Sequence, residues 1–539
     1  MKETIDIALI NGNIITMDKE NEGNTALAIK EGKFVSIGDD SDIKKICNHD
    51  TKIIDLNGKT IIPGLFDAHG HFFINSIYKT YWHDASCYPM GKIKCIDDLL
   101  DNLREACNEL KEDKPLIAFG FDDTLVKEYR MPSSEDLDKV SKNKAIILVH
   151  RSLHMLSANT KAMELAGVMD GNFNPEGGTV YYENDKPIGI FEEASAMEPF
   201  NKYIYPNEIY EDNKFYKETA QEYLRRGVTT VCEGMASEAT AKSLLKVVQD
   251  KVIDNRVIIC RVIEEGLVPY KEQNFSKHYI NGPVKLFMDG SIQAYTAFLS
   301  KPYYKIHPTR SKNKEYRGFP SMDINKLIYI FNDIKNKDLE FAIHCNGDAA
   351  IDYVLEAYNK VGVNSWGDRR NLIIHCQTVR EDQLDKMKEY KLLPSFFPAH
   401  ISVWGDRHYD TFLGPDRASR MNPVRSALDR KMIFSLHNDS PVTPINPLGL
   451  IWNAVARKTS EGRVLGKEQG IGIYEALKGV TINAAYQYHM ESYTGSITEG
   501  KCADFIILDK NPLNCEEDQL AKLNVLSTWI DGNEVYCEK

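Results

Sequence analysis

Residues 60–71 read Thr60-Ile61-Ile62-Pro63-Gly64-Leu65-Phe66-Asp67-Ala68-His69-Gly70-His71. A short apolar run bounded by Pro-Gly and ending in carboxylate and imidazole groups fits a buried parallel strand whose C-terminal end carries chemistry. We read 65–70 as the first strand of a series. Similar apolar runs recur at 228–233, 256–263, 283–288, 339–344, 371–376, 392–397 and 432–437, and helical stretches alternate with them. That alternation predicts a parallel α/β domain, and eight units predict a (β/α)8 TIM-like barrel. The interval from about 75 to 225 is too long for one crossover. It reads as an inserted subdomain after the first strand, with a strand of its own at 144–149.

The two ends of the chain have another texture. Ile7-Ala8-Leu9-Ile10 runs through Asn11-Gly12-Asn13 to Ile14-Ile15, and Ala26–Ile29 runs through Glu31-Gly32-Lys33 to Phe34–Ile37. This is hairpin punctuation. The last fifty residues repeat it, with Ala503–Leu508 and with Val525–Ile530 turning at Asp531-Gly532-Asn533. Unpaired edge strands at each end find partners in each other. The expectation is a small composite β-sandwich from 1–60 and 488–539, and a barrel over 61–487.

The 539 residues are 42% hydrophobic and 27% charged, with a net charge of −12. An acidic chain of this kind lacks the basic surface that nucleic acid or an anionic membrane would need. Its 11 cysteines form no C-x-x-C pair and are expected as free thiols in a reducing cytoplasm. The start of the sequence shows no basic segment followed by an apolar one, so no signal peptide is expected. No apolar run of about 18 residues predicts a membrane helix. The expected partner is a small-molecule substrate, and the expected assembly is a homodimer.

Polar residues at the strand ends come next, because barrel active sites form there. The first strand ends in His69 and His71, two histidines at i and i+2 that would share a side on an extended segment. The fifth ends in His344, the sixth in His375, and the eighth in His437-Asn438-Asp439. One such histidine is usually structural. Four with an aspartate, all at strand ends, point to a metal site. The fourth strand carries Lys285 inside an apolar run, where an unpaired charge is costly. It is either a snorkelling or ion-paired lysine, or an amine that takes up CO2 as a carbamate. Asp122 and Asp289 also follow strand ends, as helix caps or ligand-orienting groups. The loop after the seventh strand carries His400, Trp404, Asp406 and His408, a candidate substrate wall. His154 lies in the insertion.

Several stretches together resemble the amidohydrolase superfamily, in the branch called amidohydrolase family 3, to which N-substituted formamide deformylases belong. They include TIIPGLFDAHGH, AFGFDD, NPEGGTVYYENDKPIGIFEEA, VKLFMDGSIQAYTA, HCNGDAAID and HNDSPVTPINPL. The resemblance implies two divalent ions, zinc or else iron, manganese or nickel. His69, His71 and Asp439 would hold one ion, His344 and His375 the other, and an N6-carboxylated Lys285 would bridge them. It implies a bridging hydroxide as nucleophile, Asp439 as general base and then acid, and cleavage of a non-peptide C–N bond in an amide, formamide or N-acyl group. It places His154 near the metals as a substrate-orienting group. Mononuclear deaminases of the superfamily share a glutamate three residues after the fifth-strand histidine, where this chain has Gly347. The rival readings are a cyclic amide or imide hydrolase, a mononuclear deaminase, and a non-catalytic binding protein on the same fold.

Overall fold

The computed structural model describes residues 5–18, 23–88, 90–110, 114–169, 173–175, 177–210, 213–264, 266–269, 275–307 and 313–538. Its centre is a set of parallel strands: β1 (Leu65–Phe66), β2 (Val228–Ala236), β3 (Arg256–Arg261), β4 (Tyr279–Asn281), β5 (Val284–Phe287), β6 (Phe341–Cys345), β7 (Leu372–His375), β8 (Leu393–Phe396) and β9 (Ser435–Leu436). They form two sheets, ordered β4-β3-β2-β1 and β5-β6-β7-β8-β9.

The predicted fourth strand, 283–288, is β5, and the short strand β4 just before it was not predicted. β4 pairs with β3, with Tyr279 opposite Val257, and β5 pairs with β6, with Val284 opposite Phe341. The break falls at Gly282-Pro283. Proline has no amide hydrogen to give a ladder, so the chain changes partner there. A single parallel bridge between Val262 and Lys285 spans the break. Amphipathic helices cover the strands. Ile324–Asn336, for example, buries Leu327, Ile330, Phe331 and Ile334 at helical spacing and starts at Asp323, which accepts from the amides of Asn325 and Lys326.

The terminal segments share sheets. Thr60–Pro63 lies between Asn13–Ile14 and Phe505–Leu508 in one five-stranded sheet, with Ile61 opposite Ile507. Ile7–Ile10, Ala26–Lys30, Lys33–Gly38 and Lys52–Asp55 form a second. Leu9, Leu27, Phe34, Ile61, Phe505 and Trp529 belong to one core that both sheets supply. Residues 75–225 contain a six-stranded sheet, in which Ile146–His150 takes an interior place. No helix among the described residues is long and apolar enough to cross a membrane.

Candidate metal centre

β1 ends at Phe66, earlier than expected, and residues 67–70 are a bend. His71 caps the helix Phe72–Tyr81 at φ −122°, ψ 76°. The two histidines are thus not neighbours on an extended strand, yet their rings lie 5.4 Å apart. Backbone hydrogen bonds hold the bend on both sides. Asp67 N donates to Thr230 O at 3.0 Å, His71 N to Ser440 O at 2.7 Å, and Asp439 N to His69 O at 3.1 Å.

All six sequence-predicted ligands reach one cavity of about 400 Å³, with His154 on its wall. His69, His375 and Asp439 each present an atom within 4.8 Å of the other two. Asp439 Oδ1 lies 3.3 Å from His71 Nε2 and 3.8 Å from His69 Nε2. Lys285 Nζ is 3.1 Å from His69 Nε2. His344 stacks edge-on against His375 at 4.5 Å. His375 and Asp439 have φ of 73° and 54°. Side chains seldom accept that left-handed region, at a cost on the order of 1 kcal/mol each, so the surrounding structure holds them there.

The electrostatics suit a cation. Burial, then the charge of Lys285, holds His69 well below the usual imidazole range. Burial and then His344 do the same for His375, and burial lowers His344. Neutral imidazoles are the ligating form. Burial pushes the Asp439 carboxyl up. The hydrogen bond from His71 and the surrounding imidazoles outweigh it and hold the group well below its ordinary value. The buried Nδ1 atoms of His69 and His71 have no hydrogen-bond partner. Buried polar atoms left so are costly. A carboxylate facing neutral imidazoles is a donor set that fits a divalent ion.

Asp289 does not line this cavity. It lies behind His344, with Oδ1 3.2 Å from His344 Nδ1, and it also accepts from the amides of Asn346, Gly347 and Phe298. The four residues of the expected substrate wall, His400, Trp404, Asp406 and His408, and Asp122 are likewise off it. Trp404 donates through Nε1 to Asp122 at 3.0 Å, His408 pairs with Gln377, and Asp406 accepts from Thr459. The physical reason is that residues 399–412 are helical and turn these groups into the protein. Asp122, Asp123 and His150 form a second buried cluster. There Ser152 N donates to His150 Nδ1, so the other ring nitrogen, facing Asp123, carries the proton. An N–H on that side would not ligate a metal.

Sequence reasoning missed several residues. His437 Nε2 is 3.2 Å from His375 Nδ1 and its Nδ1 is 2.8 Å from Ser395 Oγ, which leaves His375 Nε2 toward the cavity. Its place two residues before Asp439 was the available signal. Glu193 lies 2.9 Å from His154 Nδ1. Asp67, pushed up to about 8 by burial, accepts from Asn438 N. A side chain at Gly234 would press on the His69 ring, with Nδ1 only 2.8 Å from its Cβ.

The chain matches the amidohydrolase family over residues 52–536. It is 26% identical over 551 residues to the N-substituted formamide deformylase of Arthrobacter pascens, covering 99% of this chain and 98% of that protein. It is also 26% identical to the protein LONG AFTER FAR-RED 3 of Arabidopsis thaliana, over 98% of this chain and 91% of that one. Among solved structures, it is similar to an uncharacterized metal-dependent hydrolase from Pyrococcus horikoshii OT3, with a TM-score of 0.74 and 26% identity over 95% of this chain and 99% of that one. The family match takes in every parallel strand and all six converging residues, and the chain belongs to the amidohydrolase family.

Proposed function

We propose that the protein is a metal-dependent hydrolase that cleaves a non-peptide C–N bond in an amide, formamide or N-acyl group. The observation that carries this reading is the convergence of His69, His71, Lys285, His344, His375 and Asp439 on one cavity. The architecture it uses is a (β/α)8 barrel closed from β1 to β9, with a composite β domain from both termini. The Val262–Lys285 bridge and the hydrogen bond from Asp439 N to His69 O support that closure.

His69, His71 and Asp439 would hold one divalent ion, and His344 and His375 a second. Zinc suits this set, as do iron, manganese and nickel. Bound ions would supply a water of lowered pKa and polarise the substrate carbonyl. Burial brings the Lys285 amine down to about 8, which raises the share of the neutral form that can add to CO2. The amine nitrogen bonds the CO2 carbon and loses a proton, and the resulting carbamate would bridge the ions. Asp439 takes the proton of the attacking water and returns it to the leaving nitrogen. His154, held by Glu193, faces the same cavity and would orient the carbonyl oxygen. The products are a carboxylate and an amine. Gly347, where mononuclear deaminases carry glutamate, supports amide hydrolysis over deamination.

The test is a panel of formamides, N-acyl amines, cyclic imides and aminopurines, read by amine and by ammonia release. Release of amine that stops when the metal is stripped, and in Lys285→Ala, is the expected result. Ammonia from the aminopurines alone, or full activity without metal, would overturn the reading.

A further inference from the structure

A second cavity, of about 630 Å³, adjoins the candidate metal centre. Ala194, Tyr205, Met235, Lys285, Phe287 and Ser321 wall both spaces, so the two adjoin at β5. Their linings differ in kind. The first presents imidazoles, carboxylates and an amine. The second is bounded by Phe73, Ile263, Leu286, Met322 and Ile330 together with Phe287. Among the described residues its lining has no carboxylate and no guanidinium. The Ser237 and Thr240 hydroxyls there bond each other at 2.9 Å, and Lys326 is exposed to water. Tyr329, on the same lining, is 72% exposed, so the chamber has a side open to solvent.

A wall of this composition offers a cationic group no counter-ion, its one ammonium besides Lys285 among the described residues (Lys326) stands in water, and it rewards apolar surface withdrawn from water. The reward is roughly fourfold in binding for each buried methylene. We propose that the chamber receives a large uncharged apolar substituent of the substrate, an arylalkyl or long alkyl group, with the C–N bond at its junction with the metal centre. The inference rests on the hydrolase reading above and names its substrate class. The substituent is attached either to the nitrogen or to the acyl carbon, and its chemistry is the same in both cases.

The experiment compares two pairs of substrates on the metal-loaded protein. N-(4-Phenylbutyl)formamide against N-methylformamide puts the group on nitrogen. 5-Phenylpentanamide against acetamide puts it on the acyl side. The larger member of one pair is expected to have a kcat/KM on the order of 100-fold higher or more, and the pair that shows it identifies the side. Met322→Trp, which fills the chamber away from the ligands, is expected to remove at least tenfold of that preference and leave the small substrate unchanged. Met322→Leu is expected to keep it. Equal kcat/KM within both pairs, or an equal loss for large and small substrates in Met322→Trp, overturns the proposal. Binding of 4-phenylbutanol by calorimetry separates the two readings. If no amide is cleaved but the alcohol binds and Met322→Trp weakens it tenfold, the hydrolase reading fails and the chamber stands. If small amides are cleaved and the alcohol does not bind, the chamber proposal fails alone.

Discussion

Asp289 carries no contact with the cavity, yet it sets the orientation of His344 while accepting three backbone amides. Replacing it by asparagine keeps the shape and removes the charge behind the ligand. Asp289→Asn is expected to weaken metal binding by about 10–100-fold, read by competition with a chelator. Unchanged affinity would show that His344 needs no such partner. Proton linkage gives a second expectation. Burial holds His69 and His375 well below the usual range and pushes His408 and His437 down to about 3. Below about pH 6.5 the unfolded chain protonates these four and the folded chain does not, so the unfolded state binds more protons and stability rises with pH. Asp67, up to about 8, acts in the opposite sense from about pH 4 to 8, as do the raised Glu233, His150 and His154, while the lowered His344 and His400 add to the rise. The metal-free protein is therefore expected to gain about 2–4 kcal/mol against urea from about pH 5 to 6.5. A flat or falling curve contradicts the buried neutral imidazoles. At this scale the ligands were legible because strand order placed them. Asp289 was legible as a cap or ligand-orienting group, but Glu193 was not, since a carboxylate serving an imidazole from another segment leaves no local spacing to read.

Strand positions were legible as apolar runs, but pairing was not. The run 283–288 reads as one strand, the strand Tyr279–Asn281 before it was not read at all, and only Pro283, lacking an amide hydrogen, hints that the ladder changes partner there. The first strand is shorter than its apolar run because the bend 67–70 finds its hydrogen bonds on both neighbours instead. The loop after β8 was misplaced for a related reason: it is helical, and a helix buries Trp404 and His408 where an open loop would have presented them. β2 offers a test of how an element shapes the site. Its register shifts between Glu233 and Ala236, and Gly234 sits in that shift against the His69 ring. Gly234→Ala is expected to displace His69 and lower metal occupancy by at least tenfold while the protein stays folded by circular dichroism. Normal occupancy would mean that β2 does not set the ring.

Across the whole molecule, one buried arginine ties the parallel sheets to the terminal ones. Arg256 on β3 donates to both oxygens of Asp504, at 2.7 and 2.9 Å, and to Asp531 at 2.6 Å. Removing one partner of a buried pair leaves the other charge unpaired, at a cost of about 3–5 kcal/mol. Arg256→Ala is expected to lose that much stability in urea, whereas Arg256→Ala with Asp504→Ala recovers part of it. Equal losses in the single and double variants would show that the pair is not coupled. The six-ligand centre depends on this whole frame, since its residues come from the bend after β1, from β5, β6 and β7, and from the segment after β9. The most direct test of the account is the hydrolysis rate of the best amide in the panel as zinc is added to metal-free protein. The account predicts no measurable rate at the start, a rise to a plateau near two ions per chain, and no rise in Asp439→Asn. A full rate before any metal is added, or a zinc response that Asp439→Asn leaves intact, would contradict it.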